Sequence, residues 1–229
     1  MVTRVRNRYA IGDVHGCCQT LRKMVEDVLR LGADDTLFLL GDYIDRGPDS
    51  KGVLDYLLQL IWERGYDIRP LMGNHEELCL KAAGGDPLAR DIWYANGGGL
   101  SMQQLGVERP EDIPKKYLDF MAAMPRILTE PDYVLVHAGL DFATADPVRD
   151  TSPQFMLWAR SERVQPKNID GRTLVCGHTS TPLYAIRASL TKSVICLDNG
   201  CYDKGYIGYG CLVALNLDTR ELLVQENCE

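Results

Sequence analysis

The sequence predicts an α/β protein of two mixed β-sheets packed face to face with helices outside. Three observations carry that expectation. Through the first third of the chain, apolar strand-like runs alternate with helical stripes. After residue 125, short apolar runs dominate. The 229 residues are 45% hydrophobic and 25% charged, an ordinary globular balance. A chain of that length buries about 70% of its unfolded surface and needs no staples.

Residues 8–11 read as a short strand ending in Gly12-Asp13. Leu21, Met24, Val25, Val28 and Leu29 then recur at helical spacing, and Gly32 is the expected stop. Residues 36–40 are continuously apolar, as in a strand buried on both faces. Val53, Leu54, Leu57, Leu58 and Ile61 form a second helical stripe. Residues 68–72 form a third strand, followed by a short helix from Glu76. This β-α-β-α-β-α order predicts parallel strands with right-handed crossovers. Residues 84–125 break the rhythm with Gly84-Gly85, Gly97-Gly98-Gly99 and short helical stretches, a helical excursion within one domain spanning 1–229. Strands are expected next at 133–136, 174–176, 194–197, 210–217 and 222–224.

Several classes of function are excluded. The net charge is −7, which disfavours nucleic acid and anionic membranes as partners. The apolar runs are too short to span a bilayer. The basic N-terminus has no apolar segment behind it, so a cytoplasmic location is expected. None of the eight cysteines is spaced Cys-x-x-Cys, and they read mostly as core thiols. Six residues beyond each cysteine there is no arginine, which excludes a Cys-x5-Arg phosphatase. No GxxxxGK[ST] occurs. The triple glycine fails GxGxxG because Met102 takes the last position, so a tight turn is expected there.

The chemistry concentrates at strand ends. The four histidines, His15, His75, His137 and His178, each follow a predicted strand, in Gly-Asp-Val-His-Gly, Gly-Asn-His-Glu, His-Ala-Gly and Gly-His-Thr. A fifth segment of the same build, residues 41–47, carries Asp42, Asp45 and Arg46. In α/β sheets, ligands bind beyond the carboxyl ends of strands. Asp, Asn and His together are transition-metal ligands. Asp13 and His15, two apart on extended backbone, share one face. Asp13, His15, Asp42, Asn74, His137 and His178 are more donors than one tetrahedral ion needs, which favours two ions about 3.5–4 Å apart. Arg46 offers a planar fork for phosphate oxygens. Trp158 reads as core. Asp198-Asn199-Gly200 reads equally as support for the metal site or as a hairpin turn.

Residues 12–16, 41–47 and 73–76 read GDxHG, GDxxDRG and GNHE. In order, these resemble the signature motifs of the calcineurin-like metallophosphoesterases, specifically the PPP-type serine/threonine protein phosphatases. Residues 93–99, 137–138, 158–163 and 177–179 resemble corresponding stretches of the bacteriophage lambda phosphatase.

That resemblance implies an αββα sandwich holding two divalent ions, Mn²⁺ first, with iron or zinc as alternatives. Asp13 and His15 would hold the first, Asp42 would bridge, and Asn74, His137 and His178 would hold the second. A bridging hydroxide would attack phosphorus in line. His75 would act as general acid, oriented by Asp45, and Arg46 and Arg160 would grip phosphoryl oxygens. Met72 and Ala138 stand where those phosphatases carry Arg and Gly. Asp45 and Glu76 lean toward a protein serine/threonine phosphatase, with phosphorylated protein or another phosphate ester as substrate. The alternative is a symmetrical diadenosine tetraphosphate hydrolase or other small-molecule phosphoesterase.

Overall fold

A computed structural model describes residues 6–160 and 165–229. The first sheet contains β1 (Arg8–Ile11), β2 (Thr36–Leu39) and β3 (Asp67–Pro70), and the second contains β4 (Ile127–Thr129), β5 (Tyr133–Val136), β6 (Thr173–Cys176) and β7 (Val194–Cys196). Strands β8 (Cys211–Asn216) and β9 (Leu222–Glu226) return to the first sheet, whose order is β3-β2-β1-β8-β9; the second reads β4-β5-β6-β7. β1, β2 and β3 pair in parallel, as do β5, β6 and β7, while β8 pairs antiparallel with β1 and β9, and β4 pairs antiparallel with β5. Both sheets are therefore mixed, as expected from the sequence.

The period-2 alternation of each strand divides the core. Ala10, Phe38, Tyr133, Leu135, Val175, Ile195, Val213 and Leu215 fill the space between the sheets. Tyr9, Ile11, Leu37, Leu39, Leu212 and Ala214 turn the other way. They are covered by α1 (Cys18–Lys23), α2 (Ser50–Leu58), α3 (Asn74–Ala83), α4 (Pro87–Ala95), α5 (Gly98–Leu105) and α6 (Lys115–Ala122). Val134, Val136, Leu174 and Cys176 face outward from the second sheet. Beyond them lie α7 (Pro147–Asp150) and α8 (Pro153–Trp158), and α9 (Leu183–Ser189) precedes β7.

Two local expectations need correction. The stripe over 21–29 is α1 running into a wider turn at Met24–Val28, where the Leu29 N–H donates to Met24 O at 2.8 Å. The chain leaves through Arg30 in left-handed backbone (φ 49°), not through Gly32, whose N–H donates to the Asp35 carboxylate. The β4 strand was not anticipated. It is a three-residue edge strand, half-buried at Ile127 and Leu128 and exposed at Thr129, and its pairing with β5 carries no sequence periodicity of its own.

The excursion at 84–125 holds α4, α5, a 3₁₀ turn at Pro110–Asp112 and α6. Asp86 caps α4 by accepting from Leu88 N and Ala89 N. The triple glycine starts α5. A Cβ on Gly98 would fall within the Trp93 ring, so only glycine allows that approach. Five of the cysteines are buried thiols: Cys17, Cys18, Cys79, Cys176 and Cys201. No helix among the described residues is long and apolar enough to cross a membrane.

Candidate metal centre

Parallel pairing puts the carboxyl ends of β1, β2 and β3 on one edge, and those of β5, β6 and β7 on one edge of the other sheet. Hydrogen bonds join the two edges. His137 Nδ1 donates to Leu40 O at 2.7 Å, and the His178 N–H donates to the Asp13 carboxylate at 2.9 Å. The loops leaving these ends carry the predicted residues.

Tight turns aim the side chains. His15, Asp42, Asp45, Arg46 and His178 all hold left-handed backbone, with φ of 44°, 54°, 71°, 66° and 67°. Each such residue costs about 1–3 kcal/mol and persists only where its surroundings enforce it. Gly41, at φ 105°, lets the β2 end lie against Gly73; a Cβ there would meet Gly73 Cα at 2.7 Å and His137 Nδ1 at 2.8 Å. Glu76 staples the turns together. Its buried carboxylate accepts from the N–H groups of Asp42 (2.9 Å), Tyr43 (2.8 Å) and Gly73 (3.0 Å).

Two ligand groups form, and they share Asp42. One contains His15, Asp42 and His75; the other contains Asp42, His137 and His178. Asp42 lies 3.5 Å from His15 Nε2 and 3.4 Å from His137 Nε2. The tautomers follow from the second nitrogens. His15 Nδ1 donates to Ile44 O (2.9 Å) and His137 Nδ1 to Leu40 O, so both Nε2 atoms present lone pairs inward. Asn74 Oδ1 sits 2.9 Å from His137 Nε2 and 3.0 Å from His178 Nδ1.

Asp13 belongs to neither group; its carboxylate abuts Gly177 and accepts from His178 N. His75, expected as the acid and not as a ligand, belongs to the first group, yet its Nδ1 bonds Asp45 Oδ2 at 2.6 Å. Arg46 Nη2 lies 3.2 Å from His75 Nε2, and Nη1 lies 3.1 Å from His15 Nε2. Arg160 is exposed at the end of the segment after α8, near enough to His178 to act on its titration. Ser161, Glu162 and Arg163, part of the motif beginning at Trp158, lie outside the described residues. Trp158 is half-buried, its ring edge-on to His178 at 6.2 Å. Asp198 forms no hairpin: it accepts from Gly200 N (2.7 Å) and Ser180 Oγ (3.0 Å) beside the site.

The electrostatics fit divalent cations. Burial, reinforced by Asp198 and Asp42, pushes Asp13 well above the carboxylate range, and burial raises Asp198 too. Burial and the Asp42 charge lift Glu76 to about 7. Burial opposes ionisation of Asp42, but His137, His75 and His15 hold its pKa low. Burial and neighbouring positive groups push His15 well down and His178 to about 4, so both stay neutral and able to ligate. His178 Nε2 is buried and has no hydrogen-bond partner among the described residues. Buried carboxylates, neutral imidazoles and an amide oxygen converging in this way are a donor set for a borderline divalent metal.

Sequence reasoning missed three contacts. Trp93 Nε1 donates to Asp45 Oδ2 (2.9 Å), and Ser101 Oγ donates to Asp45 Oδ1 (2.5 Å). Tyr202 stands over Arg46, its hydroxyl 3.1 Å from Nη1 and its ring edge-on to His15 at 5.1 Å. Trp93 and the glycines of its motif were visible as text; nothing local marked Ser101 or Tyr202.

The fold and this donor set define a metal-binding phosphoesterase class. The profile of calcineurin-like phosphoesterases matches residues 8–204, and the chain belongs to that family. It is similar to a symmetrical bis(5'-nucleosyl)-tetraphosphatase of Dechloromonas aromatica (strain RCB), 34% identical over 132 residues covering 58% of this chain and 43% of that protein. It is also similar to serine/threonine-protein phosphatase 1 of Salmonella typhimurium, 28% identical over 166 residues covering 71% and 72%. The chain thus spans less than half the length of the first of these relatives. A solved protein serine/threonine phosphatase from Saccharomyces cerevisiae shares the fold, with a TM-score of 0.62 at 16% identity over 99% of this chain and 82% of that one.

Proposed function

We propose that this chain hydrolyses phosphate esters or anhydrides with two divalent cations, manganese first among them. One observation carries the reading: a single buried carboxylate, Asp42, is common to both ligand groups. His15 would hold the first cation with Asp42, and Asn74, His137 and His178 the second; Asp13 would complete the first by turning from His178 N. Bound there, two cations would lower the pKa of a shared water and offset charge on phosphoryl oxygens. Arg46, fixed between His15, His75 and Tyr202, would orient the phosphoryl group, with Arg160 reaching it from the rim. His75 would hand a proton from Nε2 to the leaving oxygen while Asp45 holds Nδ1.

For the substrate, dinucleoside polyphosphates take precedence over the phosphoprotein expected from sequence. Symmetrical bis(5'-nucleosyl)-tetraphosphatases recur among the relatives more often than protein phosphatases. The second reading, a phosphorylated serine or threonine side chain, is favoured by the His75–Asp45 pair and by the similarity to the Salmonella serine/threonine-protein phosphatase. An alkoxide leaves poorly without a proton, whereas a nucleoside diphosphate does not need one. Purified protein with Mn²⁺ should be offered diadenosine tetraphosphate and a phosphoserine peptide side by side. Faster turnover of the dinucleotide supports the first reading, and faster turnover of the peptide replaces it with the second. Full activity after exhaustive chelation would overturn both.

A further inference from the structure

We infer that Tyr206 and Tyr184 form a stacking platform for the nucleobase of a nucleotide substrate; this rests on the dinucleoside polyphosphate reading above. The loop after β7 begins at the metal centre. Asp198 and Asn199 are buried beside it, and Asn199 clamps the loop by donating to Thr181 O (2.9 Å) and Gly208 O (2.8 Å) while accepting from Cys211 N (3.0 Å). Tyr202 ties the same loop to Arg46 by its hydroxyl.

Four residues on, the loop turns outward. Tyr206 is 69% exposed and Ile207 fully exposed. The Leu183 N–H donates to Gly208 O at 2.9 Å, which ties the first turn of α9, with Tyr184 75% exposed, to the same loop. Large exposed side chains on two segments joined by a hydrogen bond mark a contact surface, and the loop carrying two of them is held by the buried Asn199. Four residues of chain reach at most about 14 Å, so Tyr206 stays within that distance of Tyr202.

The rim and the centre together match one chemistry. Arg46 and the imidazoles at one end suit a polyphosphate; uncharged aromatic faces at the other suit a flat, neutral base. Bases stack on tyrosine with little sequence preference. A phosphoserine peptide offers no such ring next to its phosphate.

The test uses the full chain with Mn²⁺, diadenosine tetraphosphate, p-nitrophenyl phosphate and a phosphoserine peptide. Tyr206→Ala and Tyr184→Ala should each raise KM for the dinucleotide about tenfold with kcat held within about twofold, and combining them should raise it further. Tyr206→Trp should keep or lower that KM. Kinetics on p-nitrophenyl phosphate, which has no base, should not change and also report that the variants are folded. An unchanged dinucleotide KM, with the wild type turning that substrate over, overturns the platform and leaves the substrate reading standing. A rise shared equally by p-nitrophenyl phosphate overturns it as well. No dinucleotide turnover by wild type that cleaves p-nitrophenyl phosphate overturns the substrate reading and the platform with it. A KM rise for the phosphopeptide alone assigns the surface to protein and overturns the inference.

Discussion

Asp42 has the most to hold at the residue scale. It is buried, lies within 4 Å of three imidazole nitrogens, and its pKa is held low by them. Asp42→Asn keeps the shape and removes the charge. Metal content by elemental analysis should fall from two ions per chain toward one, and activity should fall with it. Unchanged stoichiometry would place the bridge elsewhere. His75 is held differently, through Asp45, which Trp93 and Ser101 grip in turn. Burial alone would lower the His75 pKa, but the Asp42 charge and the Asp45 bond raise it, so the ring keeps its proton more readily than a free imidazole. His75→Asn should lower kcat on an alkyl phosphate by roughly 10²–10⁴. The loss should be much smaller on p-nitrophenyl phosphate, whose leaving group needs no proton. Equal losses on the two substrates would make His75 a metal ligand, as its place in the first donor group would allow.

The elements are held by ties that can be titrated. Asp55 on α2 accepts from Lys51 Nζ (2.6 Å) on its own helix, and from Lys116 Nζ (2.9 Å) and Tyr117 Oη (2.7 Å) on α6. Burial works against its charge, but these donors outweigh it and bring its pKa from 3.8 to about 2. A carboxyl depressed in the folded state adds stability that is full above its unfolded pKa and lost as pH falls through the folded one. The loss should therefore run from about pH 4 down to about pH 2. The side chain is 35% exposed, so screening holds the contribution to roughly 0.5–1 kcal/mol. Urea titrations of wild type and Asp55→Asn should differ at pH 6 and converge near pH 2; a constant difference would mean that the tie is not electrostatic. Between α4 and α5, Gly98→Ala would drive a methyl into the buried Trp93 ring. A destabilisation of about 1–3 kcal/mol is expected, read as a lower Tm. Because Trp93 also grips Asp45, activity on alkyl phosphates should fall as well.

For the whole molecule, the site is a seam between sheets. The first sheet supplies Asp13, His15, Asp42, Asn74 and His75, and the second supplies His137 and His178. Beneath the seam, Leu135, Val175, Phe38 and Leu215 are fully buried between the sheets. Cations bound at the seam favour the folded chain by mass action, about 4 kcal/mol at a free concentration a thousand times Kd. Thermal unfolding should show a Tm several degrees higher with saturating Mn²⁺ than in EDTA. An equal Tm under both conditions would mean that the seam does not bind the ion in the folded state.

The sequence by itself determined the architecture and marked the strand ends where the candidate donors lie. The loops that leave apolar runs ending at 11, 39, 136 and 176 carry Asp13, His15, Asp42, His137 and His178, and parallel pairing brings such ends to one edge. That is a local pattern with a general geometric consequence, so it reads without coordinates. Tertiary structure decided what depends on contacts between distant segments. Leu40 O and Ile44 O choose which imidazole nitrogen stays bare. Trp93 and Ser101, 48 and 56 residues beyond Asp45, hold its carboxylate. Tyr202, 156 residues from Arg46, meets its guanidinium. Left-handed backbone at His15, Asp42 and His178, none of them glycine, persists because the surrounding packing holds it. No periodicity encodes these placements, because each is set only when the two sheets close on one another.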